Sequence, residues 1–164
     1  MAYAIVRTDL MSGTTDPALL TSVKYRPSGT DTAIENGNVV LVGALVSGER
    51  EVYAADTPAA NSPLSSIAII ATPEVMADER KKNLNEFRNE VGDISRGYYF
   101  NSKNVFSVTV DAVTPITATA PAVGQLVELQ AGTKLKLVAT ATAGSTQVGT
   151  VIAIEGVYIV IRVA

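Results

Sequence analysis

The 164 residues suffice for one ordinary domain, and 47% are apolar but only 5% aromatic, with no Trp; the core must come from Val, Ile, Leu and Ala on sheets. A net charge of −3, without clustered cations to displace counterions from phosphates, argues against nucleic acid as a partner. His and Cys are both absent, which excludes disulfides, thiolate nucleophiles, Cys/His zinc sites, His-ligated haem and every Ser-His or Cys-His dyad, so no cofactor is expected.

Residues 1–30 mix the short apolar patches "YAIV" and "ALL" with the turn-rich "SGTTDP" and "RPSGT". The pattern predicts an extended arm with a short strand at either end, either reaching out or packing on its own domain. It holds no basic stretch followed by an apolar core, so no signal peptide is expected and synthesis should be cytoplasmic. Residues 31–164 are expected to form a single β-rich domain. "NGNVVLVGALVSGEREVYAA" predicts two strands joined at "SGER", and "LSSIAIIAT" predicts a third after a Pro-rich loop.

The segment "TPEVMADERKKNLNEFRNEVGD", residues 72–93, carries ten of the 29 charged residues. Thr72 suits a helix N-cap, Pro73 the first helical position, and Glu74, Asp78 and Glu79 the positive end of the dipole. Met76, Ala77, Leu84, Phe87 and Val91 fall within an arc of roughly 100°. An amphipathic helix over about 73–91 is therefore predicted, its stripe packing on the β body and Gly92 ending it. Asp78 with Lys82, and Lys82 with Glu86, have the i,i+4 spacing of exposed ion pairs. Arg80 lies near the middle of the apolar arc, where it can snorkel, pair within its own fold or reach a partner protein. The acids lie on a solvated face among Lys and Arg, not facing each other as a glycosidase pair must.

"DISRGYYFNS" places Arg96, Tyr98 and Tyr99 together, a combination that suits either helix-end packing or a protein interface. Phe106, Val108 and Val110 alternate as a strand, and "TPITATAPAV" reads as a loop or edge. From Gly124 to the end, four or five strands follow with connections too short for crossover helices, so the sheet should be mostly antiparallel. The longest apolar run there is broken by Glu155 and Gly156 and falls short of a membrane span. Gly43, Gly48, Gly144 and Gly149 sit between β-like runs, where turns are expected rather than a phosphate loop. A weak internal echo links "NVVLV…EVYAA…SIAIIA" to "QLVEL…KLVAT…TVIAI" at offsets of about 84–87 residues, by duplication or by shared turn chemistry.

The Tyr-containing arm, "ENGNVVLVGALVSGEREVYAA", "TPEVMADERKKNLNEFRNEVGDISRGYYF", "VFSVTVDAV" and the closing "VGQLVELQAGTKLKLVA…VGTVIAIEGVYIVIRV" together resemble the head-decoration, or cement, proteins of tailed bacteriophages. The resemblance covers most of the chain. It implies a non-enzymatic virion protein on the capsid exterior that binds the major capsid protein, stabilises the head by bridging its subunits and forms a homo-oligomer, with a trimer expected. It also implies an arm that clamps capsid subunits; no membrane partner is expected, since no apolar run is long enough to span a membrane. The contact candidates are then Tyr3, Ile5, Arg7 and Tyr25 in the arm, with Arg80, Arg96, Tyr98 and Tyr99. Alternatives are a head-fibre base or tail component, or a carbohydrate-binding β-domain. The fold expected is β-rich α+β: a mostly antiparallel sandwich or barrel-like body with one helix and an extended arm.

Overall fold

A computed structural model describes residues 2–164 except Glu79, Lys82 and Ala118. Five strands, β1 (Leu20–Tyr25), β2 (Val39–Leu45), β3 (Val52–Asp56), β4 (Ile67–Ile70) and β5 (Ser95–Tyr99), close into a barrel in the order β1-β3-β2-β4-β5. Six more, β6 (Val105–Thr109), β7 (Val113–Thr114), β8 (Leu126–Glu128), β9 (Leu135–Val138), β10 (Gln147–Glu155) and β11 (Tyr158–Val163), form a half-barrel in the order β6-β11-β10-β8-β9-β7.

The two sheets repeat one topology. β1 runs parallel to β3, and β7 parallel to β9. β2 pairs antiparallel with β3 and β4, just as β8 does with β9 and β10. β4 pairs antiparallel with β5, and β10 with β11. The echo in the sequence thus falls on equivalent strands. What differs is the seam: β5 closes on β1, whereas β11 pairs with β6.

Side-chain alternation explains why β2 and β4 read as continuous apolar runs. Val40, Ala68 and Ile70 enter a cluster inside the barrel with Val23, Tyr25, Ile34 and Ala55. Their neighbours Val39, Ile67, Ile69 and Ala71 face the other way, joining Phe106, Val108, Val127, Leu135, Val151 and Ile161 in the core shared with the second sheet. A five-stranded barrel closes only around small groups. At Gly97 an added Cβ would stand 3.0 Å from Thr21 Cγ2 and 3.3 Å from Ala68 Cβ.

Several expectations are corrected. The protein is all-β, with no helix of seven or more residues among those described. Among the described residues, 72–91 are irregular apart from a 3-10 turn at Leu84–Glu86 and a bridge from Asn89 to Ile34. Closure supplies the reason: Thr72 N and Asn89 Nδ2 both donate to Asn36 Oδ1, at 3.1 and 3.4 Å, whereas a straight helix from 73 to 89 would be about 25 Å long. The stripe stays off the core: Leu84 and Val91 are 48% and 64% exposed, and Ala77 is exposed. Asp78 pairs with Arg80; the pairings proposed for Lys82, and the helix-dipole role of Glu79, lie outside the described residues. Gly43 and Gly149 lie inside β2 and β10, not in turns. A boundary at residue 30 would cut through the barrel, because β1 lies between β3 and β5 with Val23 fully buried.

Next to β1, Asp31 accepts from Lys24 Nζ at 2.9 Å and lies 2.5 Å from Arg26 Nε. The hydrogen bond from Lys24, then that from Arg26, holds its carboxyl below the usual range. A depressed folded-state pKa contributes stability above the unfolded pKa of about 4 and loses it as pH falls through the folded value. Asp31→Asn should therefore be less stable than the parent at pH 7, with the gap closing as pH falls well below 4. Urea melts at both pH values check this; a gap constant with pH would contradict it.

Candidate interaction surface

The feature that breaks the repeat is the link between β4 and β5. In the second unit the equivalent strands β10 and β11 are joined by two residues, Gly156 and Val157. In the first unit the same link runs from Ala71 to Ile94. A two-residue turn suffices for this topology, so the long link is an elaboration, and loops of this length without regular structure commonly carry function.

Its base is rigid. Asn36, 1% exposed, donates from Nδ2 to Thr72 O at 2.8 Å and Glu74 Oε1 at 3.2 Å, while its Oδ1 accepts from Thr72 N and Asn89 Nδ2. Ile34 and Asn89 exchange backbone hydrogen bonds at 3.0 and 2.9 Å, and Asn89 Nδ2 also donates to Ile34 O. Beyond this staple the loop carries its apolar groups outward: Val75 is 82% exposed, and Leu84, Val91 and Ile94 are exposed too. Between its two limbs lies a cleft of about 280 Å³, lined by Val75, Met76 and Phe87 with Asp78, Lys81 and Arg88.

The N-terminal segment ties this loop to the second sheet. Tyr3 N donates to Asn85 O at 2.8 Å, and the Arg88 guanidinium stands 5.3 Å over the Tyr3 ring. Ile5 N donates to Thr109 Oγ1 and Ile5 O accepts from Thr109 N. Arg7 N donates to Ser107 O, and its guanidinium lies 5.3 Å over Tyr158. The segment therefore covers the outer edge of β6, with buried Ala4 and Val6 pointing inward. Each cation is also fixed by an acid: Arg7 by Asp9 at 2.6 Å and Arg88 by Glu90 at 2.8 Å. These hydrogen bonds lower the pKa of both carboxyls and raise that of both guanidinium groups. Orienting rather than chemical, the result is a belt of two Arg–Tyr stacks.

Tyr3, Ile5 and Arg7 lie on this belt, and Arg80 on the loop, its side chain 88% exposed and bidentate to Asp78 at 3.0 Å. Arg96 stands exposed at the loop base, where its N donates to Thr72 Oγ1. The other three belong to the interior. Tyr25 is inside the barrel with its hydroxyl 2.7 Å from Thr57 Oγ1, Tyr98 is in the shared core and Tyr99 packs on the barrel cluster. Tyr98 and Tyr99 are neighbours on β5 and face opposite ways, one into the core shared with the second sheet and one onto the barrel cluster, which together with the inward Tyr25 corrects their assignment to a contact surface. Missed in the sequence were Arg88, Tyr158 and Val157. An apolar residue in a two-residue hairpin turn is bound to be exposed, so "EGVY" held a readable signal. No protein-family model, curated protein or solved structure matches the chain.

Proposed function

We propose that this chain is a non-enzymatic structural protein of a tailed-phage head that binds the outer capsid surface and bridges its subunits, as its resemblance to head-decoration proteins implies. The observation that carries the reading is the Ala71–Ile94 loop, which the repeated topology does not need and which holds its apolar side chains outward on a rigid base. Such a loop suits a flat protein partner, and the adjoining Arg–Tyr belt supplies residue types enriched at interfaces. On a shell each contact is repeated many times, so modest affinity per copy is sufficient. The major capsid protein is the proposed partner, with the chain acting as an oligomer on the shell.

The test is a loop replacement. Exchanging residues 73–94 for Asn-Gly, so that Thr72 and Ser95 flank a two-residue turn as Glu155 and Tyr158 do in the second unit, should leave a folded barrel, because shortening a surface loop costs little closure entropy. Its binding to purified mature heads should fall by at least about a hundredfold, with loss of the heat resistance that the intact chain confers. A shortened chain that folds and binds heads like the parent would refute the loop's role, and an intact chain that does not bind heads would refute the reading as a whole.

A further inference from the structure

We infer that the β10–β11 tip is a second, separate docking site, which takes an extended peptide segment bearing an apolar side chain between cations. Three features converge there. The first is an apolar groove of about 310 Å³ with walls of Val110, Pro121, Ile154 and Val157; Val157 is 67% exposed.

The second is an unpaired strand edge. In the first unit, β2 pairs with β4 from Ile67 to Ile69. Its counterpart β8 pairs with β10 only from Gln147 to Thr150, and the last bonds on that side are those of Val151 with Gly124 and Gln125. From Ile152 to Glu155, β10 has β11 on one side and, among the described residues, no backbone partner on the other. Pro121, alongside, has no N–H to offer. An edge with apolar side chains and free main-chain groups is a template for strand addition.

The third is charge. Asp111 and Glu155, next in sequence to the groove residues Val110 and Ile154, are exposed acids that form no ion pair among the described residues, Glu155 sharing its face of the hairpin with Tyr158. Arg7 lies over Tyr158 at the same end, but its guanidinium is held by Asp9. The rim is therefore negative, and charge complementarity selects a basic peptide over an acidic one. This inference does not rest on the phage-head reading, and its test needs no capsid.

The probes are two peptides, Ac-Lys-Val-Leu-Val-Lys-NH2 and Ac-Glu-Val-Leu-Val-Glu-NH2, titrated into the isotope-labelled full chain and followed by amide chemical shifts. Saturable shifts are expected at Val110, Ile154, Val157 and Tyr158, with the basic peptide favoured by about fivefold or more at low salt. Val157→Asp should abolish them, and Asp111→Asn with Glu155→Gln should remove the preference while leaving binding. Absence of saturable shifts at millimolar peptide, equal affinity for both peptides, or shifts elsewhere would overturn the proposal. So would concentration-dependent broadening at β10 without peptide, because a second copy would then be the occupant.

Discussion

Asn36→Ala is expected to cost about 2–4 kcal/mol and to release the Ala71–Ile94 loop while leaving the barrel folded. The Asn36 side chain is saturated: both Nδ2 hydrogens and both Oδ1 lone pairs have partners, on Thr72, Glu74 and Asn89. Truncation leaves Thr72 N without its acceptor and Asn89 Nδ2 with Ile34 O alone, and each buried group so orphaned costs about 1–3 kcal/mol. At about 2–4 °C per kcal/mol for a chain of this size, the thermal midpoint should fall by roughly 5–15 °C. Asn36→Asp, similar in shape, should be no better, because it removes both donors and sets a carboxylate beside Glu74. Hydrogen exchange separates local from global loss: amides of Thr72 and Asn89 should lose protection in Asn36→Ala well before those of Val40 and Ile69. Unchanged protection at Thr72 would mean that the side chain does not hold the loop.

This residue also marks the limit of what local pattern could foretell. The β-rich body, the "SGER" connection, the mostly antiparallel pairing and the internal echo were legible, because period-2 alternation and turn chemistry are local properties. The state of residues 72–93 was not. Every local signal there favours a helix, from the Thr72-Pro73 start to the arc of Met76, Leu84, Phe87 and Val91. What overrides them is non-local: Thr72 and Asn89 are tied to one buried side chain 36 and 53 residues earlier. Nothing in the charged segment announces that its ends must meet. On the proposed surface, Tyr3, Ile5 and Arg7 could be named in advance as arm residues, and Arg80 as a contact candidate but on a helix that does not form. Tyr25, Tyr98 and Tyr99 could not be told from them, because whether a strand shows one face to solvent depends on whether another sheet covers the outside of its barrel. Where local propensity and tertiary structure conflict, functional elements are often found.

Gly149 is where the largest loss of stability is expected from the smallest change. An added Cβ there would overlap the Arg162 carbonyl oxygen and stand 2.9 Å from its carbon and 3.1 Å from Val163 Cα. All three atoms are backbone, so no side-chain rotamer relieves the clash. Gly149 pairs with Val163 on β11 and with Val127 on β8, beside a register shift in the β8 ladder. β11 cannot retreat without withdrawing Ile159, Ile161 and Val163 from the shared core and pressing on β6. Gly149→Ala should therefore cost about 4 kcal/mol, at the upper end for point substitutions. Gly48 and Gly144 supply the control, having positive φ (87° and 82°) in open turns with no atom near an added Cβ. Alanine at either should cost only about 1–2 kcal/mol of backbone strain. Gly43, whose Cβ would meet Ala54 O at 3.0 Å, should fall between. Urea midpoints for the four variants test this order, and a Gly149→Ala protein no less stable than Gly48→Ala would show that β10 and β11 do not approach so closely.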